Sequence, residues 1–280
     1  MTIQEEIDSL RDSLKSSLTG FFKRFYMEHG EPLVASFIIG DDPSARSYLK
    51  AKIKMGQALG VKVKPMELNP DMTEDEVAEK ISEASAAANI HGIMIEAPVP
   101  KSFDLKVLQE AIDPSKDIDC ATSRNLGALL KGDTTLEPAT VRSISSIMDL
   151  FHLPRGSAVA VINRSVVIGK PLALDLITKD YTVFVCHSKT ANIRQICRGA
   201  AAVVVAVGHP GFLTRDFVTG DSFVIDAGIN YVDGKILGDA DYENLVGFVK
   251  GITPVPGGVG RLTSLYIFHN LKVLIERYVK

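Results

Sequence analysis

The sequence predicts an α/β protein built as two three-layer lobes around a cleft. Three observations carry this. Short apolar runs alternate with amphipathic helical stretches, which implies parallel strands covered by helices. The alternation breaks once, over a turn-rich section from Asp113 to Pro138, and then restarts. At 280 residues the chain exceeds the roughly 100 to 200 residues of one ordinary domain.

Element by element, "MTIQEEIDSLRDSLKSSL" reads as an acidic amphipathic helix, followed by the buried strand "LVASFII" (33 to 39). "PSARSYLKAKIKMGQAL" (43 to 59) reads as a helix, with Asp42 placed to cap it, Pro43 in its first turn and Gly60 at its exit. A strand near "VKVKPMEL", a helix over 73 to 88, the strand "GIMIE" (92 to 96) and a helix around 103 to 112 follow. After a helix near 139 to 151 come the buried runs "AVAVIN" (158 to 163), "TVFVC" (182 to 186), "AAVVVAV" (201 to 207) and "SFVIDAG" (222 to 228). The final helix, 262 to 279, is expected to return to the first lobe. The domains are therefore 1–138 plus 262–280, and 139–261. Two such lobes leave a cleft suited to small ligands.

Composition excludes several classes. Hydrophobic residues make up 46% and charged ones 23%, as in an ordinary globular protein. A net charge of -3 with dispersed lysines gives no footprint for nucleic acid. No apolar run approaches the roughly 20 residues of a membrane span, and the N-terminus lacks a signal-like apolar core, so a cytoplasmic chain is expected. Three cysteines, Cys120, Cys186 and Cys197, and six histidines show no metal-ligand spacing, so no metal is expected.

The second lobe carries a Rossmann-like signature. Its first strand ends at Asn163 and runs through "NRSVVIGKP" into a helix near Gly169, the kind of turn whose amides and helix end bind phosphate, although GxGxxG is absent. Dinucleotide folds that take NAD commonly place an acid at the end of the next strand, on the ribose 2′-hydroxyl. Here that strand ends in "CHSKT", with His187, Ser188 and Lys189 and no acid. With Arg164 and Ser165 this surface suits a 2′-phosphate, favouring NADP over NAD, the plain alternative being solvated basic residues at loop tips. "VGHPGFLT", which contains Gly208, and "DAGIN" add glycines at further strand ends.

In the first lobe, Tyr48 and Lys52 stand four apart and share a helix face, leaving Ala45, Leu49 and Ile53 to the apolar one. The pair offers a ring for stacking and an amine for proton transfer; taken alone it also fits a snorkelling lysine beside a half-buried tyrosine. Glu96 in "GIMIEAPVP" and Asp119 in "SKDIDCA" lie at strand or loop ends, placed either to face a cleft or to cap a helix. Lys52 beside Glu96 would form an ion pair. In "ITPVPGGVGRLTSL" the glycines either serve a turn or expose backbone to a ligand, with Pro254 and Pro256 fixing the loop's shape.

Taken together, "YLKAK", "GIMIEAPVP", "KDID", "NRSVVIGKP", "CHSKT", "AVGHPGF", "DAGIN" and "ITPVPGGVGRLT" resemble the bifunctional methylenetetrahydrofolate dehydrogenase/methenyltetrahydrofolate cyclohydrolase family, in order and spacing over nearly the whole chain. The resemblance implies an enzyme of one-carbon metabolism, usually a homodimer, with a tetrahydrofolate derivative between the lobes and NADP on the second. It implies oxidation of 5,10-methylenetetrahydrofolate by hydride transfer to NADP, then hydrolysis to 10-formyltetrahydrofolate. By position, Tyr48 would stack near the folate, Lys52 would assist attack by water with Glu96 beside it, and Asp119 would bind the pterin. Asn163, Arg164, Ser165, Gly169, His187, Ser188, Lys189, Gly208, Ile229 and Thr253 would fall along the cofactor, and Pro254, Pro256, Gly257 and Gly258 along the folate.

The chain departs from that pattern at several positions. Glu96 stands where the family has glutamine; a carboxylate there favours the ammonium form of Lys52, a poorer base toward water, so hydrolysis is expected to suffer more than hydride transfer. Asn163 replaces the glycine opening the cofactor turn and tolerates left-handed backbone better than most residues. Asp119-Cys120 replaces Asp-Gly, "PATVRS" (138 to 143) replaces a Pro-Cys-Thr-Pro-x-Gly motif, and Arg261 replaces a proline, either reaching a ligand's anionic tail or simply starting a helix. Two other readings stay open, a dehydrogenase without efficient hydrolysis and a folate- or NADP-binding protein without turnover.

Overall fold

The computed structural model describes residues 2–279. Helix α1 (Ile3–His29) precedes β1 (Leu33–Ile39), α2 (Pro43–Leu59), β2 (Lys62–Leu68), α3 (Glu74–Ala86), β3 (Gly92–Ile95) and α4 (Leu105–Glu110). After α5 (Ser123–Leu130) and α6 (Ala139–Leu150) come β4 (Ala158–Ile162), α7 (Gly169–Thr178), β5 (Thr182–Cys186), α8 (Ile193–Arg198), β6 (Ala202–Val205) and β7 (Phe223–Asp226). The hairpin β8 (Asn230–Val232) and β9 (Lys235–Leu237), the single turn α9 (Tyr242–Leu245), β10 (Gly251–Ile252) and α10 (Val259–Tyr278) complete the order.

The chain divides into two compact units. One comprises Ser13–Ala128, Thr135–Ala139 and the chain from Ser264 onward, and holds a parallel sheet in the order β2-β1-β3. The strand-like segment around Asp117 adds a further parallel bridge to Ile93. Phe37, Ile39, Ile81, Ile93 and Leu108 form its core with α3 and α4. Asp42 caps α2 as the sequence predicts, accepting from the N–H groups of Ser44 and Ala45, and Gly60 closes its C-terminus in a left-handed conformation. Helix α10 packs on this unit, where buried Asn270 donates through Nδ2 to the carbonyls of Ile118 (2.9 Å) and Glu137 (2.8 Å).

The other unit comprises the chain up to Asp12, Leu129–Thr134 and Thr140–Thr263, and holds a five-stranded parallel sheet in the order β10-β7-β6-β4-β5. This is the doubly wound order with the strand beyond β5 missing. The strand order reverses between β4 and β6, the switch point at which such sheets bind ligands. Ile162, Cys186, Val205 and Asp226 end their strands at one register level, so the loops that follow all emerge on the same edge. Val203, Val205, Leu213, Phe217, Val224 and Leu245 fill the core.

Three elements differ from the sequence expectation. Helix α5 lies inside the stretch read as turns, and the β8–β9 hairpin was not anticipated. Its tip, Asp233-Gly234, has positive φ at both residues, the geometry that an Asp-Gly hairpin turn requires. Helix α10 starts at Val259, so the end of the glycine-rich run is already helical. Among the described residues no helix is long and apolar enough to cross a membrane, and no cluster of metal-ligating side chains occurs.

Candidate active site and cofactor surface

In the three-stranded unit the sequence-predicted side chains converge. Lys52 Nζ lies 2.8 Å from Glu96 Oε2, and Ser36 Oγ donates to Glu96 Oε1 at 2.7 Å. Glu96 is 1% exposed and the Lys52 side chain 15%, so this ion pair is largely withdrawn from water. The fold dictates the placement. Ser36 is in the central strand, and Glu96 directly follows β3, donating its N–H to Phe37 O at 2.8 Å. Tyr48 sits one turn before Lys52 and is 37% exposed.

Asp119 follows the bridged segment at Asp117. The two acids have divided their work. Buried Asp117 accepts from the N–H groups of Ala121 and Thr122 and from Asn125 Nδ2, which makes it a loop-capping group. Asp119 is half-buried, and burial pushes its carboxyl up to about 6; the nearby Lys52 ammonium opposes that rise, and the charges of Glu96 and Asp117 add to it. Lys52, Glu96 and Asp119 are thus one electrostatic cluster with two flanking carboxylates around one cation. Cys120, next to Asp119, holds left-handed backbone (φ 54), a conformation natural to glycine at that position.

In the five-stranded unit the predicted residues line the sheet edge at the switch point. Asn163 is not in the left-handed region; its contribution is its side chain. Oδ1 accepts from Ser165 N (2.8 Å), Ser165 Oγ (2.8 Å) and Gly169 N (3.0 Å), while Nδ2 donates to Ala206 O at the end of β6. A Cβ on Gly169 would lie 2.1 Å from Asn163 O, so the helix start is pressed directly onto the strand end. Arg164 is exposed, two residues past the β4 end; Ser188 and Lys189 are exposed just past the β5 end, with Ile162 and Cys186 paired in register beneath them. His187 Nδ1 accepts from Lys189 N at 3.1 Å and thereby shapes that turn. Gly208 has φ +68 in the loop after β6.

The glycine-rich loop is shaped mainly by its own packing. Gly258 N–H donates to Pro254 O at 2.8 Å, and a Cβ there would meet the same carbonyl. Gln4 Nε2 donates to Gly257 O at 3.2 Å, and Arg261 pairs with Asp8 and not with an open ligand position. Thr253 is fully buried and its Oγ1 accepts from Asp226 N–H at 2.9 Å.

Sequence reasoning missed Asp239. It is fully buried, and its carboxylate accepts from the consecutive N–H groups of Val207, Gly208 and His209 and from Asn230 Nδ2. The glycine of "DAGIN" was the available clue: a Cβ on Gly228 would sit 2.3 Å from the Asp239 carboxyl carbon.

Comparison with known families decides the relationship. Residues 3–119 match the tetrahydrofolate dehydrogenase/cyclohydrolase catalytic domain, and residues 138–279 match the NAD(P)-binding domain of the same family. The chain belongs to the tetrahydrofolate dehydrogenase/cyclohydrolase family. Its relatives include the bifunctional protein FolD of Picrophilus torridus, 44% identical over 85% of this chain and 86% of that one, and of Thermoplasma acidophilum, 40% identical over 94% of each. Among solved structures of the family, the Thermoplasma acidophilum bifunctional dehydrogenase/cyclohydrolase superposes with a TM-score of 0.89 at 39% identity, over 96% of each chain. The Trypanosoma brucei enzyme complexed with NADP cofactor and an inhibitor gives 0.90 at 26% identity, over 97% of this chain and 96% of that one.

Proposed function

We propose that this member of the family oxidises 5,10-methylenetetrahydrofolate with NADP⁺ and hydrolyses the methenyl product to 10-formyltetrahydrofolate, as an enzyme of one-carbon metabolism. The observation that carries this reading is the buried Lys52–Glu96–Ser36 arrangement with Asp119 in its field. NADP⁺ supplies the hydride acceptor when bound.

Above about pH 6 Asp119 is ionised and accepts the N–H donors of the pterin's aminopyrimidine edge. The exposed Tyr48 ring offers the stacking face. In hydrolysis, water adds to the cationic methenyl carbon and loses one proton, giving a neutral hydroxyl adduct. The hydroxyl then gives up its remaining proton as the C=O forms and the bond to N5 breaks, and N5 takes up one proton, so one proton is released overall. Lys52, 2.8 Å from Glu96, is the group that carries this proton.

The donor set of the five-stranded unit fits NADP. Arg164, Ser165, Ser188 and Lys189, with His187 shaping their turn, supply charged and hydroxyl donors for a 2′-phosphate and no competing acid. The Asn163–Gly169 turn lies where the pyrophosphate crosses, and Gly208, Ile229 and Thr253 belong to the nicotinamide side. Arg164→Ala and Lys189→Ala are each expected to raise KM for NADP⁺ by about tenfold or more and to leave KM for NAD⁺ nearly unchanged. Equal losses with both cofactors would remove the 2′-phosphate role.

Self-association through β5 accompanies this reading. Among the described residues it is an edge strand paired only with β4, and Phe184 and Val185 are 43% and 39% exposed on it, a surface suited to a second copy. Sedimentation equilibrium of wild type against Phe184→Lys tests this, with a dimer expected to give way to monomer.

The deciding experiment mixes protein, 5,10-methylenetetrahydrofolate and NADP⁺ and follows NADPH and methenyltetrahydrofolate absorbance together. NADPH with little methenyl accumulation is expected. Methenyl decaying no faster than without protein would reduce the function to the dehydrogenase step.

A further inference from the structure

Among the described residues, the buried acids Asp239 and Asp226 have no cationic hydrogen-bond partner. Asp239 is held by three consecutive backbone N–H groups at 2.5, 2.9 and 2.8 Å and by Asn230 Nδ2 at 2.8 Å. Asp226 accepts from the N–H groups of Gly228, Asp239 and Ala240. Each carboxylate also lies against a glycine of the opposite segment, Asp239 against Gly228 and Asp226 against Gly238, so neither glycine can carry a side chain. The bonds tie the loop after β6 (Val207–His209) to the loop after β7 (Gly228–Asn230). Asp239 alone bonds to both loops, and hydrogen-bond dipoles stabilise a carboxylate without cancelling its charge, so its charge lies beneath both.

The sheet order puts these two loops on one side of the switch point and the basic "NRS" and "HSKT" turns on the other. A dinucleotide lying across the strand ends with its 2′-phosphate on the basic turns therefore has its nicotinamide over the loops that Asp239 anchors. The nicotinamide ring is cationic when oxidised and neutral when reduced. We infer that Asp239 is a positioning and electrostatic residue for the hydride step, whose buried charge favours the oxidised nicotinamide over the reduced one and so draws NADP⁺ rather than NADPH onto the enzyme. The inference rests on the NADP reading above.

The test is binding, not turnover. Dissociation constants for NADP⁺, for NADPH and for 2′-phospho-ADP-ribose, which lacks the nicotinamide, are measured for wild type, Asp239→Asn and Asn230→Ala. Asp239→Asn is expected to weaken NADP⁺ about five- to tenfold more than NADPH, with 2′-phospho-ADP-ribose unchanged. Asn230→Ala removes one donor from the carboxylate and leaves its charge less compensated, so the ratio is expected to move about two- to threefold the other way. A purely structural role would weaken both forms alike and leave the ratio of the two constants where wild type has it; that result in Asp239→Asn, or in Asn230→Ala should the first variant fail to fold, overturns the inference. Failure of wild type to bind 2′-phospho-ADP-ribose would instead overturn the NADP reading itself.

Discussion

The two units handle buried acids in opposite ways. In the three-stranded unit, Glu96 is paired with a side-chain cation, and Asp119 is left in the field of that pair with its carboxyl raised to about 6. In the five-stranded unit, Asp226 and Asp239 are wrapped in backbone N–H groups and glycine contacts. The first arrangement keeps protons movable near neutral pH, which suits acid–base work. The second fixes loop shape, with burial raising the Asp226 carboxyl and its three backbone N–H donors opposing that rise, which suits a unit that orients a cofactor carrying its own chemistry.

Breaking the pair gives the largest expected effect. Lys52→Met leaves Glu96 buried without its cation, so methenyl hydrolysis is expected to fall by about 10² to 10⁴-fold. The fold is expected to lose about 3 to 5 kcal/mol in denaturant titration. Adding Glu96→Gln to Lys52→Met is expected to recover most of that stability and none of the hydrolysis. A single variant as stable as wild type would show that the pair does not hold charge in the folded protein.

Asp119→Asn comes next, with tetrahydrofolate affinity expected to drop roughly ten- to a hundredfold through loss of a charged acceptor. The wild-type pH profile sharpens the point: kcat/KM for the folate should fall as pH drops through about 6, where Asp119 takes up its proton. The linkage runs the same way. The folded value lies above the ordinary 3.8, so the folded chain binds the extra proton; this group's contribution to stability is present in acid and withdrawn as pH rises through about 6. Wild type should therefore gain stability relative to Asp119→Asn as pH is lowered from 7 to 4.

On the other side of the comparison, Asn163→Ala removes the acceptor shared by Ser165 and Gly169 and the donor to Ala206. It is expected to raise KM for NADP⁺ about three- to tenfold with kcat for hydrolysis unchanged, because hydrolysis uses no cofactor. Glu96→Gln should raise methenyl hydrolysis several-fold while leaving hydride transfer within about twofold. No gain in hydrolysis would mean that Glu96 does not restrain Lys52.

Much of this organisation is legible in the sequence where side-chain type and local spacing carry the information. Asp42, Pro43 and Gly60 bracket α2, and the four-residue spacing of Tyr48 and Lys52 sets them on one face. Closeness of Lys52 to Glu96 is partly legible, since a strand end and a neighbouring helix face each other in an α/β unit; the Ser36 hydroxyl that completes the arrangement is not, because nothing local marks one serine inside an apolar strand. Asp239 escapes for a related reason: its partners are backbone groups 30 to 32 residues away, which have no sequence signature beyond the glycines they require. Asn163 was legible as a position and misread as to cause, since its side chain and not its backbone does the organising.

The smallest effect concerns Cys120, where the two contributions nearly cancel. Its left-handed backbone costs a non-glycine residue on the order of 1 kcal/mol, which Cys120→Gly removes. The same change deletes a fully buried side chain whose thiol reaches Leu136 O, and it adds glycine's extra freedom to the unfolded chain. The net change in unfolding free energy is expected to stay within about 1 kcal/mol of zero. Cys120→Ala keeps the strain while losing the thiol, so it should be less stable than Cys120→Gly. Thermal melts of the two variants check that order, and the reverse order would mean that the loop beside Asp119 relaxes freely and that the backbone there does not set the aspartate's position.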